Sequence, residues 1–348
     1  MKKIFHIYKT FYPFTHGGVE TYIESLQTSA ISTYDHYLLS IGDMNFSNEK
    51  KIIFKKSFSK FSDIVSFSLF IYLLKKINKK KDIIHLHTPW PSMEIFLNIF
   101  GYRKIIVTYH SDIIKQKFLN FFYAPMNLFF LKNNIKKIIT TSEIYFITSK
   151  ILKKIDKNKI EIIPIGLKKI NSRLINNSQL KKSIIFIGSN RSYKGINLLE
   201  NVIKKFNYPF TIIGSNLKHL AKYKNVQYYE NASDEKKIEL LGHAKFLLMT
   251  STSRNEAFGI VLVEALRSGI PIVSPNLNSG VSWVNKNNYT GYQFETSNLD
   301  DLYKKVQIMI DINSMEYQQM QKNCLDRFNA HFTLDKMVTR IDRVYDSL

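Results

Sequence analysis

Short apolar runs alternate along this chain with longer stretches whose apolar positions recur at helical spacing. The first half carries K-I-F-H-I-Y, H-Y-L-L-S-I, K-I-I-F, D-I-I-H-L-H, K-I-I-V-T-Y-H, K-K-I-I-T-T-S and I-E-I-I-P-I-G. The second half begins with S-I-I-F-I-G and continues with F-T-I-I-G, V-Q-Y-Y, K-F-L-L-M-T, I-P-I-V-S and G-Y-Q-F. Such runs predict strands buried on both faces, and their alternation with helical patterns predicts parallel α/β sheets. Between the two sets lies K-K-I-N-S-R-L-I-N-N-S-Q-L-K-K, which is polar, lacks periodicity and reads as a linker. The expected organisation is two Rossmann-like domains, residues 1–166 and 167–329, followed by a helix at about 330–348.

The same pattern locates candidate chemistry. K-F-L-L-M-T leads into S-T-S-R-N-E-A-F-G-I-V-L-V-E-A-L-R-S-G-I-P. Glu256 therefore falls in the loop beyond a strand's carboxyl end, where open α/β sheets bind ligands, and Glu264 about two turns into the next helix. The backbone N–H groups near Phe258, Gly259 and Ile260 open that helix without intrahelical partners, which suits a phosphate. Carboxylates repel a phosphate, so Glu256 and Glu264 suit something neutral and rich in hydroxyls. The combination describes a nucleotide-sugar pocket. Gly17 and Gly18, after the first strand and before a helix, allow close backbone approach to an anion. Strand alternation puts His85 and His87 on one face, with His110 at the end of the following strand and Asp112 just beyond. His110 is the favoured functional histidine, His87 a second candidate and His85 a structural one. The spacing is not that of helical zinc ligands, no cysteine lies near, and no carboxylate cage is evident, so no metal is expected.

The run containing Glu256, Phe258, Gly259, Glu264, Ala265, Gly269, Pro271, Ile272 and Val273 resembles the E-x-F-G-x-x-x-x-E signature of glycosyltransferase family 4. These are retaining, nucleotide-sugar-dependent enzymes of GT-B fold. The resemblance implies two facing Rossmann-like domains with an inter-domain cleft, a final helix crossing back to the N-terminal domain, and a reaction without metal or cofactor. It makes Glu256 and His110 the catalytic pair, Glu256 on donor-sugar hydroxyls and His110 beside the transferred sugar. Glu264 would bind the ribose. Lys194, Gly17, Gly18 and the Phe258, Gly259 and Ile260 amides would hold the diphosphate, with His87 and Asp112 on the acceptor side. Two positions depart from the pattern. In G-S-N-R-S-Y-K-G, Ser189 replaces the usual arginine, with Arg191 as substitute cation, and Trp283 stands where many members have glutamate. R-S-Y-K-G, T-Y-H-S-D-I-I-K-Q-K and N-Y-T-G are similar to bacterial mannosyl- and rhamnosyltransferases of surface-polysaccharide assembly. That similarity implies a GDP-, UDP- or dTDP-linked hexose donor, GDP-mannose among them. It also implies a glycan acceptor, lipid-linked, of the O-antigen, lipopolysaccharide or capsule kind.

Composition narrows the setting. A chain of 348 residues with 45% hydrophobic and 22% charged residues is long enough and apolar enough for two folded cores. Cys324 is the sole cysteine, which excludes an intrachain disulfide and fits a reducing, cytoplasmic compartment. His6 and Lys9 interrupt the first apolar run, which reads as a strand and not a signal peptide, and no run is long enough to span a bilayer. The net charge of +22 favours anionic partners, although lysine beside Ile, Asn and Phe is also what an AT-rich genome encodes. Between 115 and 137, Phe118, Phe121, Phe122, Phe129 and Phe130 lie among lysines. That suits a peripheral helix on anionic lipid, and equally a partly buried helix pair broken at Pro125. No nucleic-acid motif accompanies the charge. A nucleic-acid-binding protein, an inactive GT-B scaffold and a GT-B nucleotide-sugar epimerase are the alternatives.

Overall fold

The computed structural model describes residues 2–11, 14–15, 17–60, 63–113, 117–170 and 183–348, without the side chains of 117–120 and 122. Most of the expected linker, residues 171–182, lies outside these, as do Lys115 and the side chains of Phe118 and Phe122. The chain forms two compact units, Met1–Gly166 with Leu334–Leu348, and Leu167–Thr333.

In the first unit the strands are β1 (Lys3–Ile7), β2 (Asp35–Gly42), β3 (Phe46–Ser47), β4 (Lys51–Lys55), β5 (Phe58–Lys60), β6 (Asp63–Val65), β7 (Ile83–Thr88), β8 (Ile105–Tyr109), β9 (Lys137–Thr140) and β10 (Ile160–Ile162). Its helices are α1 (Gly18–Gln27), α2 (Phe67–Lys76), α3 (Pro91–Phe100), α4 (Lys117–Asn133), α5 (Glu143–Thr148) and, from the chain's end, α12 (Leu334–Asp346). The main sheet runs β10-β9-β8-β7-β1-β2-β4-β3, parallel except where β3 meets β4, and β5–β6 form a separate hairpin. Ile4, Ile83 and Ile106 on one face and Ile7, Leu86 and Val107 on the other are buried, so the central strands are covered on both faces, as their largely apolar runs require. The chain moves outward from β1 through β2 and then returns to β7. Strand order therefore reverses between β1 and β7, and the loops leaving their carboxyl ends diverge to open a crevice.

The second unit repeats the design with β11 (Ser183–Ile187), β12 (Phe210–Ile213), β13 (Val226–Tyr229), β14 (Ala244–Leu248), β15 (Ile272–Asn276) and β16 (Gly291–Glu295). The order β13-β12-β11-β14-β15-β16 is parallel throughout, with its reversal between β11 and β14. Helices α6 (Ile196–Lys205), α7 (Asp234–His243), α8 (Ile260–Arg267), α9 (Gly280–Val284), α10 (Leu299–Asp311) and α11 (Ser314–His331) connect or cover these strands. Phe186, Phe210, Phe246 and Phe294 meet the apolar stripes of α6 and α10, including Leu199, Val202, Leu302 and Val306, to form the core. Caps hold the helix starts where sequence placed polar residues. Ser233 Oγ accepts from Lys236 N–H at 3.2 Å, and Asn298 Oδ1 from Asp301 N–H at 3.1 Å.

Each strand expected from the apolar runs is present, with ends displaced by a few residues. The additions are β3, β5 and β6, two or three residues long, of which β3 and β5 are exposed throughout. Strands so short carry no apolar run to betray them. Phe246→Ala should cost the second unit about 3–5 kcal/mol, because the ring is wholly buried and its neighbours are held by a sheet that relaxes little. Urea unfolding of a Trp90→Phe protein, with Trp283 as reporter inside the second unit, measures the loss.

Candidate functional site

In the second unit, the loop after β11 and the loop after β14 are tied together at the sheet's reversal point. Lys194 N–H donates to the Arg191 carbonyl at 2.9 Å, closing a turn. Thr252 N–H donates to the Tyr193 carbonyl at 2.7 Å, and Thr250 Oγ1 to the Lys194 carbonyl at 2.8 Å. Gly195 makes this approach sterically feasible: its φ is +63°, and a Cβ there would lie 1.9 Å from the Thr250 carbonyl oxygen. The loops bring Lys194 Nζ to 2.5 Å from Glu256 Oε2, with the two side chains only 14% and 12% exposed. Ser251 Oγ donates to the same carboxylate oxygen at 3.2 Å, and Ser279 Oγ to the Glu256 carbonyl at 2.9 Å. A pair this shielded leaves a costly lone charge if either partner is removed.

Helix α8 starts at Ile260, after Gly259 in the left-handed region at φ +77°. Glu264 consequently sits one turn into the helix and not two. The N–H groups of Phe258, Gly259 and Ile260 make no hydrogen bond among the described residues, so donors and helix dipole are available to an anion. The Phe258 ring is buried beside Trp283 and Phe332, leaving its backbone as the available part. Trp283, at the position where the resemblance expects glutamate, is stacked under the Arg327 guanidinium at 5.2 Å. Glu264 Oε1 holds Lys237 Nζ at 2.8 Å, and that ammonium also reaches Asp234 at 2.9 Å. Burial alone would lower the Lys237 pKa, but Glu264 and then Asp234 outweigh it and leave the value raised. Sequence reasoning missed Lys237, since nothing on α7 marks it until α8 packs beside it. Arg191 stays exposed in the turn before Lys194, without an ion pair among the described residues, and Ser189 is half-buried.

Three candidates in the first unit have contacts of their own within the fold. Gly17 caps α1 in extended conformation, and a Cβ there would lie 2.5 Å from Glu20 Oε2. Glu20 is buried and accepts from Thr10 Oγ1 at 2.6 Å, so the Gly17–Gly18 helix start already faces a carboxylate, which opposes a phosphate. Asp112 Oδ1 accepts from Tyr109 OH at 2.9 Å and Ser149 Oγ at 2.7 Å, which fixes the carboxylate against β8 and the segment after α5. His87 is wholly buried, with Nδ1 3.0 Å from His110 Nε2 and Nε2 3.0 Å from His6 Nδ1. With both nitrogens engaged, it backs His110. His85 lies between Tyr345 OH and Thr108 Oγ1, each at 2.6 Å, a structural place.

His110 stands at the end of β8, 9% exposed. Behind it run His87, His6 and His36, the last with His6 Nε2 at 2.8 Å from its Nδ1. His6 and His36 were missed because each sits singly in an ordinary strand; parallel register, His6 beside His85, gathers them. Ring nitrogens of His6, His85 and His87 lie within 4.8 Å of one another, a number and spacing that a metal could use. The donor set argues otherwise, since both nitrogens of each of these rings already have hydrogen-bond partners and no carboxylate joins the group. Burial pushes all five imidazoles down: His6, His85 and His87 well below the usual range, His36 to about 4 and His110 to about 3. They are neutral groups that donate and accept.

Residues 169–325 match the family described as Glycosyl transferases group 1, and residues 16–168 match Glycosyltransferase Family 4. The chain is 28% identical to O-antigen chain mannosyltransferase C of Escherichia coli, over 99% of this chain and 98% of that protein. It is 26% identical to the D-rhamnosyltransferase WbpZ of Pseudomonas aeruginosa, over 95% and 92% of the two chains. The crystal structure of Anabaena Alr3699/HepE in complex with UDP and glucose is similar with a TM-score of 0.78 at 14% identity, covering 100% of both chains. That likeness identifies the fold as GT-B.

Two outcomes follow from this geometry. Unfolded, each histidine titrates near 6.5, whereas folded it stays neutral to much lower pH. Stability is therefore complete above that value and falls as pH drops toward about 4, by up to about 1.4 kcal/mol per pH unit for each histidine involved. Urea midpoints at neutral and mildly acidic pH measure the slope, which His36→Gln should make shallower. Gly195→Ala should destabilise the second unit by at least about 2 kcal/mol, from a strained φ and the clash with Thr250, read from the same titration.

Proposed function

The chain belongs to the group 1 glycosyl transferases, its N-terminal half to glycosyltransferase family 4, and on that premise we propose a retaining, metal-independent hexosyltransferase. Its donor is a nucleotide-diphosphate sugar and its acceptor a growing, lipid-linked bacterial surface glycan. The Lys194–Glu256 pair, at the reversal point of a parallel sheet and near the free N–H groups opening α8, is the observation that carries this reading. An incoming diphosphate competes for Lys194 and is drawn by the α8 donors. As Lys194 turns to the phosphate, Glu256 is released to accept hydrogen bonds from sugar hydroxyls. Glu264, paired with Lys237, accepts from the ribose hydroxyls.

In the transfer itself the bond from the anomeric carbon to the phosphate oxygen breaks as a bond to the acceptor hydroxyl oxygen forms on the same face. The acceptor's proton passes to the departing phosphate. Lys194 and the helix start stabilise the charge developing there, with Arg191 in the same turn as a second cation in place of the arginine absent at Ser189. His110 supplies a neutral hydrogen-bonding group to the sugar. The mannosyl- and rhamnosyltransferase relatives support transfer of a hexose, and the UDP and glucose bound to HepE support a nucleotide-sugar donor. Among the described residues no helix is long and apolar enough to cross a membrane. Phe121 and Phe129 are exposed on lysine-flanked α4, which supports a peripheral place on the cytoplasmic face of an anionic membrane.

The test is donor binding and slow hydrolysis, without metal, across GDP-mannose, UDP-glucose, UDP-N-acetylglucosamine, UDP-galactose and dTDP-rhamnose. One donor should be preferred, and Glu256→Ala or Lys194→Ala should each reduce its hydrolysis about 100-fold or more. A folded protein that binds no donor, with Lys194 dispensable, would overturn the proposal.

A further inference from the structure

The buried row behind His110 has a direction, and one carboxylate at its far end sets it. Asp342 on α12 accepts from Ser32 Oγ at 2.9 and 3.1 Å and from Thr33 N–H at 2.9 Å. Because Ser32 spends its proton on Asp342, its oxygen must accept from His36 Nε2, 2.8 Å away. His36 then carries its proton on Nε2 and offers Nδ1 as an acceptor to His6 Nε2–H at 2.8 Å. The same step repeats: His6 Nδ1 accepts from His87 Nε2–H, and His87 Nδ1 from His110 Nε2–H, each at 3.0 Å. Every ring is a neutral Nε2–H tautomer, because burial keeps all four from taking a second proton. At the end of the row His110 retains one unused group, the Nδ1 lone pair, which has no partner among the described residues.

We propose that Asp342 is a positioning residue for the transfer reaction, acting through Ser32, His36, His6 and His87 to hold His110 with its Nδ1 as a hydrogen-bond acceptor for a sugar hydroxyl. The inference rests on the proposed function only in assigning a sugar to His110. The tautomer itself depends on geometry within one unit. No ring in the row can reverse alone, since reversing one sets two donors or two lone pairs face to face in an interior closed to solvent. The carboxylate, which accepts and never donates, therefore fixes His110 from the opposite end of the row. Asparagine at 342 can donate as well as accept, which allows the whole row to run either way, and alanine at 32 cuts it.

The experiment is two-bond proton–nitrogen correlation NMR on the full-length protein with nitrogen-labelled histidine, which distinguishes protonated from bare ring nitrogens. In the unaltered protein His36, His6, His87 and His110 should all be Nε2–H at neutral pH. Asp342→Asn and Ser32→Ala should each give His110 a mixture of tautomers. With the preferred donor and its acceptor, kcat should fall about tenfold or more and donor affinity by less, the split expected of a hydrogen bond to the transferred sugar that strengthens in the transition state. His110 found as Nδ1–H in the unaltered protein would overturn the proposal, and that result needs no variant to fold. So would an unchanged His110 tautomer in both folded variants, or one equivalent of zinc retained through dialysis with the ring protons missing. A protein that turns over no donor but has the expected tautomers loses the proposed function and keeps the relay.

Discussion

Among the described residues, five imidazoles lie in the first unit where little or no water reaches them: His6, His36, His85, His87 and His110. Each must find its hydrogen-bond partners in protein or be left with an unmet group worth about 1–3 kcal/mol. That demand orders much of this unit's interior. It draws His6 to His87 and His36, His85 to Thr108 and Tyr345, and the end of the row to Ser32 and Asp342. Helix α12 enters the network through Asp342 and Tyr345, so the polar interior of the sheet is completed by the last residues of the chain. With every ring nitrogen but His110 Nδ1 engaged, such a network specifies one arrangement of its members.

The second unit meets the same demand with charges. Lys194 and Glu256 leave water together, and so do Glu264 and Lys237, each cation offsetting the burial of its carboxylate. These pairs stand on loops and helix starts at the carboxyl end of a sheet whose strands are otherwise apolar. The contrast matters for ligand binding. A charge pair can open when an anion competes for the cation, whereas a closed row of neutral rings keeps its order. One unit thus offers exchangeable charges and the other a fixed hydrogen-bond direction.

The strands were legible because strands covered on both faces leave short, largely apolar runs that break the helical spacing on either side. V-Q-Y-Y became β13 at the expected residues, and S-I-I-F-I, followed by its glycine, became β11. The start of α8 was expected too early because Phe258 and Gly259 look apolar and helix-like, yet Gly259 turns left-handed and delays the first turn. The two-residue β3 left no trace in the pattern. At the candidate site, Glu256 and Lys194 stood out by their motifs and prove to be bonded to each other. Gly17 and Asp112 stood out in the same way, and their contacts with Glu20, Tyr109 and Ser149 are with the fold.

What the sequence determined by itself was local: which segments are strands, which are helices, where a loop follows a strand's carboxyl end, and the family signature spanning Glu256 to Val273. These follow from the periodicity and chemistry of neighbouring residues. Tertiary structure alone decided which side chains share a proton or a charge. His6, His36, His87 and Asp342 are far apart in sequence, and of these only His87, alternating with His85 on one strand, was marked by a local pattern. Only parallel strand register and the packing of α12 place their ring nitrogens and carboxylate in line, since a hydrogen bond requires atoms within about 3 Å and the chain constrains such distances only through its fold.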